Sequence, residues 1–204
     1  MKLFLHFTIL IILSFLLISC QNDDNNDSIQ QVCNNSNSNF SNLYDDIVIN
    51  EDLLSYDTVE SSLHAYVFKV SSQKQICSIG YQSFHEDVTV PYGIIIKEEA
   101  TNTILYSGNH LFTQNNMSYV NLSQNIILEP NTEYVISRIQ NMLNNDSNNS
   151  LGTVIDGISN GNIEFLPYTF NELSILSTRF IDIWSDDEVD VYNFLPKIDI
   201  VFIE

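Results

Sequence analysis

The densest concentration of chemistry-bearing side chains is the stretch Ser185-Asp186-Asp187-Glu188-Val189-Asp190, which with Asp182 places five carboxylates within nine residues. Calcium takes about six to eight oxygen ligands from carboxylates and carbonyls, so a loop this dense is the chain's candidate cation site and calcium its candidate cofactor. The stretch lacks the spacing and the glycine of an EF-hand loop, and a solvated acidic loop joining two late strands has the same composition. Aromatic side chains gather in the same region, with Tyr168 and Phe170 in one segment and Trp184 and Tyr192 flanking the acidic run. Exposed aromatic faces serve as stacking platforms for sugar rings, while aromatics also dominate ordinary β cores; Trp184 is the best single candidate for either role.

Acid-base and nucleophilic candidates are sparse. Past the first twenty residues the histidines are His64, His85 and His110, with no H-E-x-x-H pair for zinc. No G-x-S-x-G elbow, phosphate-binding glycine loop or G-x-G-x-x-G occurs. Ser107-Gly108-Asn109-His110 brings a serine close to a histidine, but at a strand end that is ordinary turn composition. His85-Glu86-Asp87 reads as a solvated turn in the same way. A hydrolytic pair of carboxylates is diagnosed by separation in space, so 26 acidic residues offer too many combinations. No catalytic residue is assigned.

Charge narrows the partners. The chain carries a formal net charge of −19. Binding to nucleic acid requires cationic groups that displace counterions from phosphates, and this surface repels them. Nucleic acid and anionic lipid are excluded as partners unless cations bridge. Solubility is the commonest use of such acidity.

The elements that must position these side chains are strands. Tyr66, Phe68 and Val70 alternate onto one face, and Cys77, Ile79 and Tyr81 onto another. Gly93 to Lys97 and Thr103 to Ser107 flank the polar turn Glu98-Glu99-Ala100-Thr101-Asn102, which is hairpin spacing. Further strand candidates are Ser118 to Leu122, Ile126 to Glu129, Glu133 to Ile139, Ile175 to Trp184 and Ile198 to Ile203. Leu43 to Leu54 reads as a turn or two of helix or as a short strand. Asn141 to Ser150 reads as a long surface loop. These features predict an all-β domain over 41–204, an antiparallel two-sheet β-sandwich of immunoglobulin/fibronectin-like or jelly-roll-like type.

One connection has recognisable mechanics. In Leu128-Glu129-Pro130-Asn131-Thr132-Glu133-Tyr134, Pro130 presets φ for the first central position of a turn, Asn131 suits the next, and an alternating strand starts at Tyr134. The run resembles the L-x-P-x-T-x-Y strand start frequent in extracellular bacterial β-sandwiches, including fibronectin-like, carbohydrate-binding and ancillary domains. That resemblance implies a fold class and no activity.

The first nineteen residues have the layout of a secretory signal. Lys2 precedes an apolar run from Leu3 to Ile18, interrupted by His6, Thr8 and Ser14 and too short to span a bilayer comfortably. The ending Leu17-Ile18-Ser19-Cys20 resembles the lipobox of bacterial lipoproteins, which implies that Cys20 becomes the first mature residue and carries the lipid. Asp23, Asp24 and Asp27 directly after it are similar to the signal that sends Bacteroidetes lipoproteins to the cell surface. Several acyl chains hold permanently where one holds marginally. The expected location is therefore the outer membrane, lipid-anchored and facing the surface.

Residues 20–40 are rich in Asn, Ser and Asp and read as a solvated tether, which as a flexible coil of this length spans roughly 25 Å. With Cys20 acylated, Cys33 and Cys77 remain in an oxidising compartment, where disulfides persist. A bond between them is expected, pinning the tether's end to a strand. Closing a loop of this length contributes about 4 kcal/mol in the chain-entropy model. Two free thiols are the competing reading.

This plan points to a non-catalytic, membrane-anchored binding module with a glycan or another extracellular ligand as its target. A structural accessory subunit docked on an outer-membrane protein is the alternative from a second class. A carboxylate-based hydrolase is the third.

Overall fold

The computed structural model describes residues 33–59, 62–84, 89–140, 151–159, 161–181 and 189–203. Cys20 and the signal, the tether up to residue 32, His85-Glu86-Asp87, the Asn-rich loop 141–150, and Asp182, Trp184, Asp186, Asp187 and Glu188 lie outside the described residues.

The described chain is a helix followed by strands. Helix α1 (Asn39–Asn50) precedes β1 (Ser55–Val59), β2 (Leu63–Val70), β3 (Lys74–Tyr81), β4 (Tyr92–Glu98), β5 (Ile104–His110), β6 (Ser118–Leu128) and β7 (Tyr134–Gln140). Then come β8 (Leu151–Asp156), β9 (Tyr168–Phe170), β10 (Leu173–Ile181), β11 (Val189–Val191), β12 (Phe194–Pro196) and β13 (Asp199–Phe202). Every pairing between these strands is antiparallel.

The all-β sandwich reading holds, with open sheets sharing one core. A seven-stranded sheet runs β11-β10-β2-β7-β4-β5, with β9 also paired to β10. Two three-stranded sheets, β13-β3-β6 and β1-β8-β12, complete the fold. Two sheets were expected, and the third arises where the chain breaks between β12 and β13. Pro196 ends β12, Ile198 N–H turns back onto the Pro196 carbonyl (3.0 Å), and the next residue starts a strand in a different sheet. Proline lacks a ladder donor, which suits such a switch point.

All three sheets contribute to the core. Tyr66, Phe68 and Val70 of β2, Ile76 and Ile79 of β3, Ile94 and Ile96 of β4, Ile155 of β8 and Ile200 of β13 are all fully buried in it. The opposite face of β2 is also covered, as Ala65 and Val67 form a small second cluster with Val135 of β7.

The local sequence explains the boundaries. Asn131 adopts φ +60°, the left-handed conformation that asparagine tolerates, directly after Pro130. The Tyr134 hydroxyl then accepts from Glu129 N–H at 2.9 Å and fixes the strand start. In the β4–β5 hairpin Asn102 takes φ +55° and Glu98 N–H bonds the Thr103 carbonyl (2.9 Å).

Leu43 to Leu54, whose spacing allows either helix or strand, is helical for most of its length. Phe40, Leu43, Tyr44 and Ile47 form an i, i+3, i+4, i+7 stripe, all buried. Ser38 caps the helix by accepting Ser41 N–H at 2.9 Å. The tether boundary at residue 40 therefore moves back, because residues 33–40 belong to the folded body. Their Asn and Ser side chains make specific bonds: Ser78 Oγ donates to Asn35 Oδ1 (2.5 Å), and Ser38 Oγ donates to Asp199 Oδ1 (2.7 Å). Cys33 and Cys77 are joined by a disulfide of 2.02 Å, and Cys33 also bridges to Ile203 just after β13.

Candidate functional site

A cleft of about 310 Å³ opens where the two small sheets part. It is lined by Tyr81 and Gln82 at the end of β3, Phe84 just beyond, Asn116 and Met117 before β6, Thr153 of β8, and Lys197 between β12 and β13. That volume lies at the small end of the roughly 300–1,000 Å³ typical of ligand sites. One wall, Tyr81, Phe84 and Met117, is mostly apolar; Gln82, Asn116 and Thr153 bring amides and a hydroxyl, and Lys197 brings a positive charge.

Three of the lining groups are held from behind. Gln82 Nε2 donates to the Gln114 carbonyl at 2.8 Å, joining the β3 end to the segment before β6. Thr153 Oγ1 donates to Asp57 of β1 at 2.9 Å. Lys197 N–H donates to the Thr153 carbonyl at 2.9 Å, and its Nζ sits 4.8 Å from the centre of the buried Tyr44 ring.

Tyr81 connects the cleft to a buried cation. Arg138 on β7 is fully buried, with its guanidinium over the rings of Tyr81 (5.6 Å) and Tyr92 (5.5 Å). Such stacking is favourable, more so when desolvated. Tyr81, Tyr92 and Phe112 pack mutually, with the Tyr81 ring 5.1 Å from Tyr92 and 5.5 Å from Phe112. The Tyr92 hydroxyl accepts from Phe84 N–H at 3.3 Å, which ties the cleft's aromatic rim to this cluster. His64 pairs with Arg138 across the β2–β7 ladder. Burial and then the nearby Arg138 charge hold His64 well below its ordinary pKa, so it is neutral.

The histidine singled out in sequence finds a different partner. Ser107 is exposed and alternates away from His110, whereas the Tyr106 hydroxyl lies 2.5 Å from His110 Nε2. The two rings meet over Gly108, where a Cβ would come within 2.5 Å of that hydroxyl and 2.9 Å of Nε2. Burial holds the Tyr106 hydroxyl above and the His110 ring below their ordinary values. No nucleophile is assembled there.

The aromatic candidates are dispersed. Tyr168 and Phe170 of β9 are half-buried against the core, and the Tyr168 hydroxyl donates to Asp46 of α1 at 2.7 Å. Tyr168 therefore fastens the helix to the sheet. Tyr192 is 40% exposed in the turn between β11 and β12. Of the acidic run, Asp190 is described, and it receives Arg179 Nε at 2.6 Å and Ser177 Oγ at 3.2 Å. Among the described residues no group of three or more His, Cys, Asp or Glu side chains is placed to hold a metal ion. Nor, among them, is any helix long and apolar enough to cross a membrane.

Sequence reading did not find the cleft, because its lining comes from separate segments with no shared spacing. The available signal was scarcity: Lys197 is one of seven basic residues and follows Pro196 directly. In comparisons with known proteins, no family model matches the chain and no curated protein is similar to it in sequence.

Proposed function

We propose that the protein is a non-catalytic binding module, anchored in the outer membrane through acyl chains on Cys20, which presents the cleft between its two small sheets to an extracellular glycan. The observation that carries this reading is the cleft's lining of Tyr81, Phe84 and Met117 beside Gln82, Asn116 and Thr153. An apolar wall facing a few convergent polar groups is the general composition of a small-molecule site. The aromatic and thioether surface suits the C–H face of a sugar ring, and the amides and hydroxyl suit its hydroxyl groups.

A glycan array probed with the full folded chain, beside Phe84→Ala and Trp184→Ala, tests it. Binding to a defined set of glycans, lost in Phe84→Ala, is expected. An array left blank by the wild-type chain overturns the reading. Binding lost only in Trp184→Ala moves the site to the acidic run. Metabolic labelling with palmitate checks the anchor separately, with Cys20→Ala expected to abolish incorporation.

One observation favours a structural accessory subunit as a second reading. Ile158 (55% exposed), Ile163 and Tyr192 stand out on two loops joined by Gly157 N–H to Asn193 carbonyl (2.7 Å) and Phe165 N–H to Tyr192 carbonyl (3.0 Å) bonds. Grouped exposed apolar side chains mark interaction sites. Stable co-purification with one outer-membrane protein, lost in Ile158→Asp, supports this reading over the first.

A further inference from the structure

We infer that the cleft selects an anionic sugar, one bearing a carboxylate or sulfate, with Lys197 as the counter-charge; this deepens the glycan-binding reading and rests on it. Among the described residues, Lys197 is the one cation in the cleft's lining. Lys74 pairs with Glu172, and Arg179 pairs with both Glu99 (2.7 Å) and Asp190 (2.6 Å). No carboxylate among the described residues lies within ion-pair distance of Lys197.

Asp57 and Asp199 both accept from hydroxyl donors, and the Lys197 charge reaches Asp199 only through space. Asp57 accepts the Thr153 hydroxyl at 2.9 Å. Asp199 is fully buried and accepts from Ser38 (2.7 Å), Ser41 (2.8 Å) and Tyr119 (2.9 Å). In a chain of net charge −19, Lys197 lines a cavity and, among the described residues, makes no direct ion pair, although its charge is felt by the buried Asp199 carboxylate.

The geometry also prepares this ammonium for a ligand. The Tyr44 ring lies 4.8 Å from Nζ and the Lys197 backbone is bonded to Thr153, so the side chain is positioned before anything binds. A lysine is a compact point charge, suited equally to a carboxylate or a sulfate. The ring bearing the anion would lie against Phe84 and Met117, its charged group over Lys197. Because the protein's overall field repels polyanions, the site suits a terminal or isolated charged residue better than a densely charged polymer.

Calorimetric titration of the full folded chain tests the inference. The probes are glucuronate- and galacturonate-bearing oligosaccharides, sulfated galactose oligosaccharides, and the neutral counterpart of each. The acidic member of at least one pair is expected to bind about tenfold tighter than its neutral counterpart. Lys197→Met should remove that difference, and Lys197→Arg should keep it. Whichever acidic partner wins identifies the anion. Equal affinity for both members of every pair in the wild-type chain, which needs no variant to fold, overturns the inference and leaves the binding-module reading standing. A preference that persists in Lys197→Met does the same. Absence of binding to all glycans overturns both.

Discussion

Tyr119 and Asp199 lie on opposite sides of β3, and the Tyr119 hydroxyl crosses that strand to donate to the Asp199 carboxylate at 2.9 Å. The residue paired with both is Gly80, and a Cβ there would collide with the Tyr119 ring. Ser38 and Ser41 donate to the same carboxylate from the start of α1. One buried acid thus joins the helix start to both edge strands of a three-stranded sheet.

Gly80→Ala should lower stability by about 1–3 kcal/mol, the range for overpacking a filled site, because the ring must swing away from Asp199. Chemical denaturation of the variant against the wild-type chain measures the loss. An unchanged midpoint would mean that the ring relaxes without breaking the bond.

Asp199→Ala leaves three buried or half-buried hydroxyls without their acceptor and should lower stability by about 1–3 kcal/mol. Its effect should overlap with that of Gly80→Ala, since both remove the Tyr119 bond. A double-mutant cycle showing full additivity would refute the shared bond.

Acid should weaken the fold through His64. Burial and the Arg138 charge hold its pKa below the ordinary 6.5, so the unfolded chain takes up a proton that the native state does not. The contribution is intact above that ordinary value and is lost as pH falls toward the depressed one. His110, lowered by burial, acts in the same direction. Denaturation midpoints should drop between about pH 7 and pH 5, and His64→Gln should flatten the drop.

Removing the Cys33–Cys77 bond by a double serine substitution should lower stability by about 2–4 kcal/mol. Non-reducing mass spectrometry of the wild-type chain should find both thiols oxidised, and two free thiols would contradict the bond.

Period-two patterning made much of the fold legible. Tyr66, Phe68 and Val70 share the main core as their spacing implied, and the Pro130-Asn131 turn has the backbone its residues favour. Burial of Ala65 and Val67 on the other face of the same strand leaves no mark in an alternation pattern. Strands β9, β11 and β12 are three residues each, too short for any period to register. The end of the tether is not legible in the sequence because Asn35, Ser38 and Ser41 have the composition of a solvated segment, and only their partners Ser78 and Asp199 distinguish a cap from a coil. The cysteine pair is readable from cysteine count once Cys20 is set aside, because two remaining thiols suffice for one bond. The cleft is not, since Tyr81, Met117, Thr153 and Lys197 meet only through strand pairing and the break after Pro196.

The disulfide gives the fold a defined mechanical response. Tension applied to the chain ahead of residue 33 passes through the sulfur bridge straight into β3, the middle strand of its sheet, and bypasses α1. Extracting β3 requires breaking ladders on two sides together, so a pull on the chain ahead of residue 33 loads the sheet in shear and spares the helix from unravelling.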